Sequence, residues 1–236
     1  MNRTQTASRW VLVIAVICGV CAWAAPVVTA AVGFTENFAL YEVDLSSTGR
    51  NPFFILEPGY RLVLGDEDTR LIITVLRQTQ MVKGVITRIV EEREFEGGKL
   101  IEVSKNYFAI SRKNSSVFYF GEDVDILDLN GNLISHEGSW RAGVNGAREG
   151  LIMPGIVLLG ARYAQELAPP VAMDRAEVVG VDQTFQTPAG LFNGVIETKE
   201  TTPLEPSAKD TKRYAPNVGL IQDADLLLLE FGFVRL

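Results

Sequence analysis

The chain has 236 residues, of which 22 are basic and 29 are acidic, so its formal net charge at pH 7 is −7. An acidic chain without basic runs is a poor partner for nucleic acid or for anionic lipid headgroups, and we expect neither. Its two cysteines, Cys18 and Cys21, both precede residue 30. The sequence beyond residue 30 therefore excludes disulfides, thiol nucleophiles and thiolate metal sites.

Residues 1–30 have the pattern of a signal peptide. Two arginines precede the apolar run WVLVIAVICGVCAWAA (10–25), and Val28-Thr29-Ala30 supplies the small-x-small pattern of a signal peptidase site. The apolar run is shorter than the roughly 20 residues that a membrane-spanning helix needs. We therefore predict a signal peptide at 1–30 and an exported β-rich domain at 31–236, located in the periplasm or outside the cell. The alternative is that the N-terminal segment stays as an anchor.

From residue 31 onward the chain has the pattern of short β-strands. Several segments rich in Val, Ile, Leu and Thr alternate polar and apolar residues, as a half-buried strand does. In chain order the segments are 38–45, 60–64, 70–76, 81–92, 99–110, 116–120, 123–129, 161–167, 176–182, 192–200, 218–221 and 225–234. Turn residues such as Asn130-Gly131 separate them, and no long window carries a helical stripe. The pattern predicts a mainly β fold, a single domain of antiparallel hairpins that forms a curved sheet or an incomplete barrel.

Two segments interrupt the run of hairpins. Residues 138–160 are rich in glycine, and residues 201–217 carry three prolines together with charged side chains. We predict that the second of these segments is a long exposed connection. The last predicted strand, DLLLLEFGFV (225–234), has four consecutive leucines. We expect an edge strand of this kind to be covered within the fold or by a second chain.

Three stretches of the chain resemble a family of uncharacterised exported bacterial proteins. They are NPFFILEPGYRLVL (51–64), EGSWRAGVNGAREGLIMPG (137–155) and PLEP…KRYAPNVGLIQ (203–222). In that family the patterns "NPFFPL.PG", "GSW.AGV.GA.PGI.MP" and "YAPGVGLV" recur. The similarity spans about Asn51 to Phe233, and it implies a fold and export from the bacterial cytoplasm without implying a mechanism.

The chain departs from that family at two places. Arg148-Glu149 stands where the family usually has a proline, and Asn217 stands where it usually has a glycine. The segment TPAGLFNGVIET (187–198), together with the last stretch, is also similar to curved-sheet envelope proteins related to lipoprotein carriers. That second similarity is short, and it implies the same antiparallel architecture.

The stretch HEGSWRAGVNGAREGLIMPG (136–155) supplies the main candidates for a binding site. Its glycines allow close backbone approach or positive φ angles, while Trp140 and Met153 supply apolar mass. One interpretation is a strap that folds over one end of the curved sheet and plugs it. The other is a lid over a small apolar pocket, with an arginine at its mouth to receive a carboxylate or phosphate. The ligand-binding candidates are Trp140, Arg141, Met153 and Tyr163.

No residues in the sequence form a recognisable catalytic set. His136 is the chain's sole histidine, and the adjacent Ser135 points to the opposite face of a strand, so the two side chains cannot pair. The acidic residues are densest in Glu91–Glu94 and in Glu122-Asp123, which we interpret as solvated turns beside strand ends. A pair of carboxylates for hydrolysis is the alternative interpretation.

We expect no cofactor, and the one candidate metal site is a calcium site. Asp128, Asn130 and Glu137 fall at positions three, five and twelve of an EF-hand-like loop. Position one is Ile126, which supplies no oxygen ligand, and the flanking residues have strand patterns rather than helical ones. An ordinary Asn-Gly hairpin explains the same residues.

Taken together, these patterns favour a non-catalytic exported protein that binds an apolar ligand or an envelope partner. The expected partner is a lipid or small apolar molecule, an envelope protein, or a second copy of this chain. Two alternatives are a carboxylate-based hydrolase and a structural component of the bacterial envelope.

Overall fold

The computed structural model describes residues 33–40 and 44–236, and within them the chain is all β, with no α-helix. The predicted signal peptide lies outside the described residues. No helix among the described residues has the length and apolar character needed to cross a membrane. The strands are β1 (Leu45–Ser46), β2 (Gly49–Asn51), β3 (Phe54–Leu56), β4 (Tyr60–Gly65), β5 (Thr69–Val82), β6 (Val85–Glu96), β7 (Lys99–Ser111), β8 (Val117–Leu127), β9 (Leu133–Ser135), β10 (Trp140–Arg141), β11 (Arg148–Met153), β12 (Arg162–Ala164), β13 (Glu166–Leu167), β14 (Arg175–Thr187), β15 (Gly190–Thr201), β16 (Lys209–Ala215), β17 (Gly219–Asp223) and β18 (Leu226–Phe233).

One large antiparallel sheet contains all of these strands except β2 and β3, which pair with each other. Along the sheet the order is β12-β14-β15-β16-β17-β18-β4-β5-β6-β7-β8-β11-β13, with the short strands β1, β9 and β10 beside β7 or β8. Most strands that are adjacent in the sheet are also consecutive in sequence, which is the arrangement that hairpins produce. The prediction of a single antiparallel domain forming a curved sheet or incomplete barrel is therefore confirmed.

The two ends of the sheet meet at a single stretch of chain, residues 162–167. Its first half, β12, pairs with β14, and its second half, β13, pairs with β11. The sheet therefore nearly closes on itself. Gly150 of β11 permits this closure, because a Cβ atom there would lie only 2.1 Å from the Gln165 carbonyl oxygen.

Closure gives the sheet an inner face, and the alternation of side chains decides which residues line it. The inner residues of β4, β5 and β18 are apolar, and Leu64 and Leu228, which lie opposite each other, are both fully buried. Fully burying such side chains stabilises the fold by about 1.5–3 kcal/mol each. The core therefore lies inside the curved sheet.

Several predicted boundaries differ from the structure. The predicted strand 81–92 is two strands, because Lys83 and Gly84 have φ angles of 50° and 81° and form a hairpin turn. The predicted strands 116–120 and 123–129 are one strand, β8. Residues 38–40 lie outside any strand, and β1 begins only at Leu45.

Two further predictions about segments were wrong in part. The connection predicted at 201–217 contains β16, which lies inside the sheet between β15 and β17. The glycine-rich segment 138–160 contributes β10 and β11, so it is a member of the sheet rather than a strap lying across it. The segment 225–234 contains β18, which lies between β17 and β4 and is covered within the fold.

Candidate functional site

A hollow of about 100 Å³ lies inside the curved sheet. Its wall is mainly apolar and comes from strands that are far apart in sequence. Leu62, Val75 and Phe108 form part of this wall, and the two charged residues that line the hollow are Glu92 and Lys212. An enclosed apolar space with a few polar groups on one side is the usual form of a small-molecule site.

The hairpin formed by β2 and β3 covers one mouth of the hollow. Phe53 and Phe54 line the hollow, and the ring of Phe54 contacts the ring of Phe108 edge to face, with centroids 5.1 Å apart. We call residues 49–56 the lid. The lid pairs with no strand of the large sheet, so its position depends on side chains and on a few backbone bonds.

Asn51 and Pro52 attach the lid to the rest of the protein. The fully buried amide of Asn51 donates hydrogen bonds to the carbonyl oxygens of Ser115 and Pro154, both at 2.9 Å. The Pro52 carbonyl accepts a hydrogen bond from the backbone N–H of Asn217. The three stretches singled out in the sequence, 51–64, 137–155 and 203–222, therefore meet at the lid.

Glu92 lies on β6 at the deep side of the hollow, opposite Ile73 of β5 and Ser104 of β7. Among the described residues, no hydrogen bond or ion pair involves its carboxylate. Burial raises its pKa to about 7, and nearby carboxylates add to that rise while Lys212 opposes it. The deep side of the hollow thus holds a carboxyl group with no bonded partner.

Lys212 on β16 is the cation of this region. Its Nζ lies 3.4 Å from an oxygen of Glu200 and 3.3 Å from an oxygen of Asp223. Burial lowers the pKa of Lys212, but the two carboxylates outweigh burial and raise it well above its ordinary value. Even so, 27% of the Lys212 side-chain surface is accessible. Lys212 also lines the hollow.

A second carboxyl, that of the half-buried Glu122 of β8, lies farther along the same face. Burial and the charge of Glu92 raise its pKa to about 7, while Tyr119 and Trp140 lower it. The Trp140 indole Nε1 is buried with no acceptor in hydrogen-bonding geometry, although it faces Glu122. Tyr119 donates instead to the Asn106 side-chain oxygen, at 2.5 Å.

The carboxyl groups of this inner region share strands with the apolar wall. We call these inward-facing carboxyl groups the acidic floor. They come from five strands, and the charge of each affects the pKa values of others in the set. They are Glu92, Glu94, Glu102, Glu122, Glu200 and Asp223. Lys212 is paired with two of them, so the floor carries a surplus of carboxyl groups over cations.

Trp140 and Arg141 line a second pocket together, Met153 and Tyr163 do not line it, and none of the four predicted ligand-binding residues lines the hollow. Trp140 and Met153 are buried, at 6% and 0% exposure, and Trp140 packs edge to face on Tyr119. Arg141 faces outward, where it binds Asp123 and lies over the ring of Tyr107. Tyr163 is buried in a small separate cluster with Ala176 and Val178.

The residues of the calcium candidate form a hairpin turn. Asp128 accepts hydrogen bonds from the backbone N–H groups of Asn130 and Asn132 and from the Asn132 amide. Glu137 lies beyond β9, where its N–H donates to the Ser135 hydroxyl. Within residues 33–40 and 44–236, no group of three or more His, Cys, Asp or Glu side chains is arranged to hold a metal ion.

The serine hydroxyls and the histidine imidazole that were considered as a catalytic set do not form one. His136 is 64% exposed at its side chain, and its Nδ1 lies 2.9 Å from Asp125. The Ser139 hydroxyl accepts a bond from the Val124 backbone N–H. Neither Ser135 nor Ser139 bonds the imidazole in the described part of the chain.

Sequence reasoning placed the acidic residues on the wrong kind of element. Glu91–Glu94 and Glu122-Asp123, which we interpreted as solvated turns, lie inside the long strands β6 and β8. On each strand one carboxyl faces inward and its neighbour faces outward. The usable signal was the alternation itself: Glu92 and Glu94 continue the inward series that begins with Val90.

Comparison of the chain with protein-family models, with curated proteins and with solved structures found no match. The resemblance to the exported bacterial family therefore stays a prediction.

Proposed function

We propose that the protein is a non-catalytic, exported binding protein that holds a small, largely apolar ligand in the hollow beneath the lid. The observation that carries this proposal is the hollow itself, walled by aromatic and aliphatic side chains and covered by a hairpin outside the main sheet. A volume of about 100 Å³ accommodates a short alkyl group or a ring. A longer ligand would place only its end there.

A matched pair of isoleucines on β5 tests the proposal. Ile73 lines the hollow, whereas its neighbour Ile72 faces the outer surface. The Ile73→Phe variant is expected to fill the hollow, and Ile72→Phe leaves the hollow unchanged. Ligand-observed NMR with toluene as the probe should show binding to the wild type and to Ile72→Phe, and loss of binding in Ile73→Phe.

Native mass spectrometry of the exported protein after incubation with a lipid extract gives a second measurement. We expect a small bound molecule in the wild type that is absent from the Ile73→Phe variant. If the wild type takes up neither toluene nor any extract component, the binding function is wrong.

A second candidate, a carboxylate-based hydrolase, is favoured by one observation. Burial raises the pKa of Glu92 and of Glu122 to about 7, and a raised carboxyl pKa is what the general acid of a glycoside hydrolase requires. The test is a panel of chromogenic glycosides and esters. Turnover lost in both Glu92→Gln and Glu122→Gln, with folding intact, would replace the binding proposal.

A further inference from the structure

The charges around the hollow are unequal, and this bears on what the hollow binds. Within the described part of the chain, the Glu92 carboxyl on the wall of the hollow has no bonded partner, whereas Lys212 is already held by Glu200 and Asp223. An incoming anion would find a cation that is already neutralised. An incoming cation would find a free carboxylate.

A buried amide points to the same deficit of donors. Gln165, only 3% exposed, donates from Nε2 to the Glu200 carboxylate at 2.7 Å. Its Oε1 atom is buried and accepts no hydrogen bond. A buried acceptor without a donor is unfavourable, because it has lost its hydrogen bonds to water and gained none in the protein. Beside Glu200 one buried acceptor therefore lacks a donor, whereas the unused donor of this region, the indole N–H of Trp140, lies at Glu122.

Building on the proposed function, we propose that the ligand is a small organic ammonium ion, whose apolar part fills the hollow and whose ammonium group pairs with Glu92. The three N–H donors of a primary ammonium suit a site rich in acceptors. The apolar part packs against Phe54 and Phe108, and burying its methylene groups there favours binding.

Binding of an ammonium ion is coupled to loss of the proton from the Glu92 carboxyl group. The groups that face Glu92 come from β6, β7, β8, β16 and β17, and they are Glu94, Glu102, Tyr119, Glu122, Lys212 and Asp223. With its pKa at about 7, Glu92 is largely protonated at pH 6 and largely ionised at pH 8. An ammonium ion pairs with the ionised form, so its affinity should rise between those pH values as Glu92 loses its proton.

Titration calorimetry with three probes of equal chain length tests the proposal: n-butylamine, n-butanol and butyrate. At pH 8 we expect butylamine to bind at least tenfold more tightly than butanol, and butyrate to bind more weakly than either. Binding of butylamine at pH 7 should release a proton, seen as a heat that depends on the buffer, while butanol should release none.

Two adjacent glutamates supply matched variants. Glu92→Gln should abolish the preference for butylamine and leave butanol binding intact, whereas Glu91→Gln, on the outer face of the same strand, should behave as the wild type. If butanol and toluene bind but butylamine has no advantage, or if the advantage survives in Glu92→Gln, the ammonium assignment is wrong and the apolar hollow stands. If no probe binds, both proposals are wrong.

Discussion

The inside of the sheet has an apolar half and an acidic half, and the same strands build both. Along β6 the inward side chains run from Val90 to Glu92, and along β17 from Ile221 to Asp223. The apolar half contains fully buried leucines and needs no partner to be stable. The acidic half instead holds carboxyl groups whose pKa values are raised by burial, which shows that their charged forms are unfavourable there.

The apolar side chains therefore stabilise the fold, whereas the carboxyl groups are available for binding. A carboxyl without a partner inside a protein lowers its stability, so a substitution that removes the charge should increase the stability. The apolar half should respond in the opposite way to truncation. Substitutions in the two halves therefore test the comparison directly.

The largest effect is expected in the apolar half. Leu64→Ala removes a fully buried side chain that packs opposite Leu228, and it should lower the free energy of unfolding by about 4 kcal/mol. Urea denaturation measures the change. The control is Leu191→Ala, 61% exposed in the wild type, which should change stability by less than about 0.5 kcal/mol. Equal effects at the two positions would contradict the assignment of the core.

The next effect is at the cation of the acidic half. Lys212→Met leaves Glu200 and Asp223 without their counter-charge, and should destabilise the protein at pH 8 by about 3 kcal/mol. Part of that loss should return as the pH is lowered, because burial raises the pKa of Glu200 and favours its protonated form. The exposed Lys199→Met is the matched control, and a loss of similar size there would argue against a special role for Lys212.

The dependence of stability on pH follows from the raised pKa values. For Glu92 and Glu122 the folded pKa of about 7 lies above the ordinary 4.5. The stability due to their protonated forms is fully present below pH 4.5 and is lost as the pH rises through 7. Urea denaturation should give a free energy of unfolding that is about 2 kcal/mol lower at pH 8 than at pH 5. This value is smaller than the pKa shifts alone would give, because both carboxyls are partly accessible to solvent, which screens their charges. The loss should shrink in Glu92→Gln, and a wild type equally stable at both pH values would contradict the account.

The smallest effect is expected at the lid. Asn51→Ala removes two hydrogen bonds to backbone carbonyls and should cost about 1.5 kcal/mol of stability, measured by urea denaturation. Because the bonds position the lid over the hollow, the variant should also bind toluene more weakly. A variant that loses stability but binds toluene as the wild type does would show that the lid plays no part in binding.

The sequence predicted the class of fold because local patterns determine it. Alternation along β7 and turn residues such as Asn130-Gly131 are sufficient to predict antiparallel hairpins. Closure through residues 162–167 was not predictable, since it joins strands from distant parts of the chain and depends on backbone contact at Gly150. The site was missed for a related reason. Glu91 and Glu92 stand in an acidic cluster that we interpreted as a turn, so the alternation that places Glu92 on the same face as the buried Val90 was not applied to them.

The binding of an ammonium ion in the hollow is tested most directly by a crystal structure of the protein grown with n-butylamine. The account predicts the butyl chain between Phe54 and Phe108, with the ammonium nitrogen within hydrogen-bonding distance of the Glu92 carboxylate. Butylamine bound only at carboxylates on the outer surface, with the hollow filled by water, would contradict it.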